Sequence, residues 1–268
     1  MSGTLIGEVA VVTGGGRGFG EQIARSLAAE GASVTIVSRH QAQLDGVVAR
    51  MAANGGKAFA VAADVTDRAA VNAAIAAAEK KFGAATLLVN SAGIDRPFGP
   101  IGVVDPDEWW STQAVHVRGP LLFMSALLPA MQARRKGCIV TVASRAGIEV
   151  TANMSAYCVA KATQIRLTEH VAAEGKPYGI TAFAIQPGTV ITEMGAATLN
   201  NPDAHRWIPG GIEYLKSVEA EQRDPAVREA VYRRCCDMVV DLASGRYDAL
   251  SGRYLDPADD FDALLRSR

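Results

Sequence analysis

The chain has little cysteine, almost no net charge and no long uninterrupted apolar run. Its four cysteines, Cys138, Cys158, Cys235 and Cys236, show no C-x-x-C spacing, and four in 268 residues do not make a disulfide framework. Buried or incidental thiols are expected instead. Basic side chains number 27 against 28 acidic ones, a formal charge of −1. That balance gives no electrostatic footprint for nucleic acid or an anionic membrane surface. Nowhere do about 18 apolar residues follow one another, so no membrane-spanning helix is expected. The stretch from Met1 to Val12 carries Glu8 and lacks the basic flank and long apolar run of a secretory signal. Together these absences lead to the expectation of a cytoplasmic protein with no nucleic-acid or membrane partner and no metal site.

What is present is material for a core. Hydrophobic residues make up 49% of the chain, and a chain of this length buries a sizeable interior as a single unit. Short Val- and Ile-rich runs at 8–13 and 33–37 read as buried parallel strands, and 57–62, 86–89, 138–142 and 181–185 extend the series. Helical patterns lie between them. Residues 21–30 close at Gly31, and Thr66 is placed to cap a helix running toward Gly83. Asp105-Pro106-Asp107-Glu108 sets Asp105 at N-cap, Pro106 at N1 and Glu108 at N3, as in a capping box. That helix is predicted to carry Trp109 through about Arg135, with a kink or interruption at Gly119-Pro120. Another covers 155–173, before Gly175 and Pro177.

Such alternation predicts an α/β fold, a Rossmann-like doubly wound parallel sheet with helices on both faces, as one domain over residues 1–268. From 193 to 235 the composition turns polar, with breaks at Asn201-Pro202, Pro209-Gly210-Gly211 and Asp224-Pro225. This stretch is expected to cover a substrate; the alternative is a peripheral decoration. A closing strand at 251–255 and a short helix at 260–266 complete the reading, with no internal repeat.

After the first strand comes Thr13-Gly14-Gly15-Gly16-Arg17-Gly18-Phe19-Gly20, followed by a helix. Glycines permit a tight turn and close backbone approach, and the helix N-terminus offers free N–H groups to a pyrophosphate. A glycine-rich turn also serves as a plain connection; its place between strand and helix argues for a dinucleotide. Read as T-G-x-x-x-G-x-G, the turn resembles that of the short-chain dehydrogenase/reductase family. Further matches follow in that family's order over residues 8 to about 192. Asp64-Val65 looks like the pair that touches adenine. Asn90-Ser91-Ala92-Gly93 is similar to the family's N-N-A-G. Pro187-Gly188, with Val190 and Thr192 beyond, looks like the loop against the nicotinamide carboxamide.

Charge bears on the choice of nucleotide. A 2′-phosphate calls for a cation, a free ribose diol for a carboxylate. The second strand ends Ile36-Val37-Ser38-Arg39-His40, with no acid, and Arg17 lies in the glycine turn. By resemblance these two basic positions imply NADP(H) rather than NAD(H); as bare residues they are equally solvated surface arginines.

Tyr157 and Lys161 stand four residues apart on one helix face, an arrangement that by itself is ordinary. Ser144 precedes the tyrosine by thirteen positions, just after a strand. The resemblance implies that Ser144 hydrogen-bonds the substrate oxygen, Tyr157 acts as general acid or base, and Lys161 lowers the tyrosine pKa and holds the nicotinamide ribose. The family's fourth residue is an asparagine in V-N-x-x-G, whereas this chain reads Val115-His116-Val117-Arg118-Gly119. His116 either replaces the asparagine as a hydrogen-bonding or proton-relaying group or merely packs beside the site.

Candidate substrate contacts are Ile94, Arg145, Met194 and Trp207. The expected activity is interconversion of a ketone or aldehyde with an alcohol using NADP(H). The alternatives are an NAD-dependent dehydrogenase of the same fold and a non-catalytic nucleotide-binding scaffold. The resemblance also implies a homotetramer or homodimer, with the helices from Pro106 and Ser155 meeting across subunits; Leu121 to Met124 suit that contact or an ordinary buried face.

Overall fold

Alternate residues of the first strand, β1 (Val9–Thr13), feed two different apolar layers: Ala10 and Val12 enter one, Val9 and Val11 the other. That is the signature of a strand buried on both faces. The computed structural model describes residues 3–267. After β1 come α1 (Gly18–Ala29), β2 (Ser33–Ser38), α2 (Gln41–Ala53), β3 (Lys57–Ala62), α3 (Arg68–Phe82) and β4 (Leu87–Asn90). Next are α4 (Pro106–Gln113), a π turn (Ala114–Arg118) and α5 (Gly119–Arg134). β5 (Gly137–Val142), α6 (Ser155–Gly175) and β6 (Ile180–Ile185) follow. The chain ends with α7 (Glu193–Leu199), α8 (Pro202–Trp207), α9 (Pro209–Glu221), α10 (Pro225–Ala243), β7 (Tyr254–Leu255) and α11 (Phe261–Arg266).

The seven strands are parallel in the order β3-β2-β1-β4-β5-β6-β7. This is the expected Rossmann-like doubly wound sheet. One core lies between the sheet and α1, α2 and α10, with Ile23, Leu27, Leu44, Val47, Val239 and Leu242. The opposite core packs α3, α5 and α6 through Val71, Ile75, Phe123, Leu127, Met131 and Val171. All four cysteines are free and buried.

Several local expectations need correcting. The cap of α3 is Asp67, whose carboxylate accepts from Ala69 N at 2.7 Å and Ala70 N at 3.2 Å. Thr66 instead donates its hydroxyl and its N–H to Asp64. The long helix keeps its Asp105 cap, with Asp107 N at 2.7 Å, but is disturbed before Gly119, at the π turn. The run Pro106–Arg134 is long and apolar enough to cross a membrane by length and composition alone; here its inward face packs on the sheet. The segment from 193 to 235 divides. α7, α8 and α9 form the outer excursion, whereas α10 packs on α1, with Cys235, Met238 and Val239 in the core. The prolines at the breaks are helix starts: Asn201 and Asp224 cap α8 and α10, each with proline at the first position.

Candidate active site

β1 and β4 are neighbours, but the chain leaves β1 toward β2 on one side and β4 toward β5 on the other. Their C-terminal loops therefore part and leave a crevice. A cleft of about 820 Å³ occupies it, walled by the loops after β1 to β6 and by α7 and α9.

The glycine turn forms one wall. Gly14 has φ +67°, and a Cβ there would stand 2.8 Å from Ala92 N; at Gly20 it would stand 2.3 Å from the Gly14 carbonyl oxygen. Only glycine lets the turn, the first residues of α1 and the loop after β4 close up this tightly. Gly16, Arg17, Gly18 and Phe19 line the same wall. Thr13 and Asn90 do not reach the cleft surface; they brace it from behind. The Thr13 hydroxyl oxygen accepts from Ser91 N at 3.1 Å and Ala92 N at 3.2 Å. Asn90 Nδ2 faces Thr141 Oγ1 at 3.5 Å. Ala92 and Gly93, which follow, do line the cleft.

Beyond the turn lie Ser38, Arg39, Asp64 and Val65. Ser38 Oγ is buried without a hydrogen-bond partner among the described residues. The Asp64 carboxyl is held below its usual range, chiefly by the Thr66 N–H, with the Thr66 hydroxyl and the Arg39 charge adding to the effect. Arg17 Nε lies 3.9 Å from a Glu193 carboxylate oxygen at the start of α7. Pro187, Gly188, Val190 and Thr192 complete the far side. An orphaned hydroxyl, a glycine cradle under a helix N-terminus and two arginines suit a nicotinamide dinucleotide.

At the centre, α6 presents Tyr157 and Lys161 one turn apart to the cleft, and Ser144 follows β5. Gly147 allows the turn after Ser144 to sit against α6, since a Cβ there would come within 2.8 Å of the Lys161 backbone. Lys161 Nζ donates to the Val142 carbonyl at 2.7 Å and stands 5.5 Å from the Tyr157 ring centre. Burial is the main influence on both groups. It pushes the phenol up to about 12, with the Ser144 hydroxyl working against it, and the lysine down to about 7. The influence that favours phenolate in the protein itself is thus the serine, not the lysine.

His116 sits in the π turn, fully buried. Its Nε2 lies 2.6 Å from the Ile94 carbonyl oxygen and 3.0 Å from the Ile94 nitrogen. A single ring nitrogen serves one of these at a time, whereas an asparagine amide serves both. Nδ1 has no partner. Burial and the Lys161 charge push the imidazole down to about 3, so it is neutral at pH 7. Its ring meets Tyr157 edge-on at 5.6 Å.

Ile94 and Met194 line the cleft; Arg145 and Trp207 do not. Arg145 is exposed and reaches Glu149 and Asp256, while Trp207 packs at Gly99 beneath Arg206. Residues missed by sequence reasoning include Gln164, whose Nε2 donates to the His116 carbonyl at 2.9 Å, and Gln113, which donates to Ala156 O at 2.7 Å. Neither belongs to a motif; glutamine spacing along a helix carries no signal of what it faces.

The short chain dehydrogenase family model matches residues 8–203. The chain belongs to the short-chain dehydrogenase family. A short chain dehydrogenase of Pseudocercospora fijiensis is 32% identical over 99% of this chain and 84% of its own length. Among solved members, a gluconate 5-dehydrogenase from Burkholderia cenocepacia in complex with NADP and tartrate is 30% identical, with TM-score 0.78 over 94% of each chain. A 3-ketoacyl-(acyl-carrier-protein) reductase from Brucella melitensis complexed with NADH is 28% identical, with TM-score 0.76 over 94% of this chain and 97% of its own. The family thus takes NAD(H) or NADP(H), and the relatives named here are oxidoreductases.

Proposed function

We propose that this short-chain dehydrogenase interconverts a ketone or aldehyde and an alcohol with NADP(H). The observation that carries the reading is the meeting of Ser144, Tyr157 and Lys161 in the cleft that the glycine turn walls. NADP(H) is favoured because β2 ends in Ser38 and Arg39 without an acid, and Arg17 shares the cleft. Arg39 and Arg17 would grip a 2′-phosphate, with Ser38 Oγ as a further donor. The bound nucleotide supplies the hydride.

The chain's own residues manage the oxygen and the proton. Ser144 donates a hydrogen bond to the substrate oxygen. Tyr157, protonated at neutral pH because its pKa is about 12, gives its proton to that oxygen during reduction and takes it back during oxidation. Lys161, fixed by the Val142 carbonyl and partly protonated near pH 7, stands beside the phenol, where its ammonium form adds to the Ser144 hydroxyl in stabilising the phenolate left behind.

Fluorescence titration with NADPH and with NADH tests the cofactor, and a carbonyl panel tests turnover. NADPH is expected to bind more tightly. Arg39→Asp is expected to weaken NADPH about tenfold or more, as loss of a charge-assisted hydrogen bond does, and to spare NADH. Tyr157→Phe is expected to abolish turnover and retain nucleotide binding. Equal weakening of both nucleotides sinks the phosphate clamp; binding without turnover of any carbonyl favours a nucleotide-binding scaffold.

A further inference from the structure

The cleft holds a carboxylate that this chemistry does not use and that no cation pairs with among the described residues. Asp95 follows the Ala92-Gly93 turn and lines the cleft with Ser144 and Tyr157. Its one hydrogen bond from another side chain among the described residues is that of the Thr198 hydroxyl on α7, 103 positions away. No lysine, arginine or histidine comes within ion-pair distance of it among those residues. Largely buried carboxylates are normally paired with a cation or satisfied by several donors. Burial raises the Asp95 pKa, and the carboxylate is near enough to raise that of Tyr157 in turn. Asp95 thus has two neutral donors from the protein, the Thr198 hydroxyl and its own backbone N–H, and an open side toward the cleft for another.

The surroundings define that donor. Ile94, Met154, Met194, Ile208 and Leu215 line the cleft and suit a carbon frame. An anionic group would meet the Asp95 charge, and an ammonium would meet the Arg96 charge that acts on the same carboxylate. A hydroxyl meets neither obstacle and is the donor Asp95 already accepts from Thr198.

We infer that Asp95 is a substrate-binding residue that selects neutral ketones and alcohols carrying a second hydroxyl, which donates to its carboxylate while the reacting oxygen meets Ser144 and Tyr157. The inference rests on the oxidoreductase reading above. A site built to bond a substrate hydroxyl discriminates against the analogue lacking it, because the protein group is then left short of a partner.

The test is a set of matched pairs on three carbon frames: cyclohexanone, tetralone and butanone, each with its α-hydroxy derivative. Each is assayed for NADPH and NADH consumption by the wild type and by Asp95→Asn and Asp95→Ala. The wild type is expected to favour the hydroxylated member by about tenfold or more in kcat/KM. In Asp95→Ala this ratio is expected to fall toward one, and in Asp95→Asn, which keeps a neutral acceptor oxygen, to fall partway. Because the ratio is taken within each variant, any general loss of activity or folding cancels. Turnover of both members without preference in the wild type overturns the inference and leaves the oxidoreductase reading standing. An unchanged ratio with both members slowed alike makes Asp95 only the partner of Thr198, and overturns it too. The α-amino derivative of cyclohexanone is assayed beside these pairs; its being preferred over the hydroxyketone, with that preference lost in Asp95→Asn, overturns the hydroxyl in favour of a cation. No turnover of any member with either nucleotide overturns the underlying reading as well.

Discussion

Burial draws both members of the Tyr157–Lys161 pair toward their neutral forms, with the phenol at about 12 and the amine at about 7. For the lysine this has a consequence for stability. Between about pH 7 and its unfolded value of 10.5, the unfolded chain keeps a proton that the folded chain has released. Stability from this group therefore rises with pH through that window, and its cost is greatest below pH 7. Lys161→Met removes the buried charge and keeps an unbranched stem. Its gain in Tm over the wild type is expected to be larger at pH 6 than at pH 9.5, as read by thermal unfolding, while turnover is lost. A gain that is the same at both pH values would count against a depressed lysine pKa. His116, held at about 3, adds a slope of the same sign between about pH 3 and 6.5; burial, its main cause, is common to both proteins, while Lys161→Met removes the smaller push from the Lys161 charge. The same neutrality makes His116 a hydrogen-bond partner of Ile94 at pH 7, not a charged relay.

The glycine turn shows how an element can depend on one missing atom. A methyl at Gly20 would stand 2.3 Å from the Gly14 carbonyl oxygen, a contact with backbone that no side-chain rotation relieves. Gly20→Ala is thus expected to open the turn, lower Tm by several degrees and weaken NADPH binding about tenfold or more. Wild-type affinity and Tm in this variant would show that the turn tolerates the shift. Much at this scale was legible in the sequence, because short apolar runs and capping residues are local signals. The Asp105-Pro106 start and the strand at 57–62 stand where they were expected. α2 was not, since its start at His40 has no side-chain cap and only Leu44, Val47 and Met51 mark its inward face. The sequence puts a kink or interruption of the long helix at Gly119-Pro120, whereas the π turn lies just before it, at Ala114–Arg118. Proline marks where a hydrogen bond is missing, but the distortion falls in the turn before it, where the freed carbonyls lie. The Asp95–Thr198 bond joins positions 103 apart, and only the fold could bring them together.

At the scale of the whole molecule, the sheet is covered on both faces, yet the helices that flank the cleft still show apolar side chains outward. Trp110 on α4 is 65% exposed, Leu121 on α5 47% and Val159 on α6 45%. On a monomer, scattered exposed residues of this kind are common. These three lie on the helices from Pro106 and Ser155, which family resemblance sets at subunit contacts, and α4 packs directly on α6. The proposed homotetramer or homodimer would cover them with a second copy of the same surface, since a two-fold contact is self-complementary. Light scattering at micromolar concentration is then expected to give two or four chain masses. Leu121→Asp places a charge in that contact twice, once from each copy, and is expected to shift the mass toward one chain. Its side chain is half-exposed within a chain, so the fold should survive the change and the circular dichroism spectrum should match the wild type. A wild type that is monomeric across that range would place these residues on a free surface and end the assembly argument. A Leu121→Asp protein that keeps the oligomeric mass would move the contact to another face of the molecule.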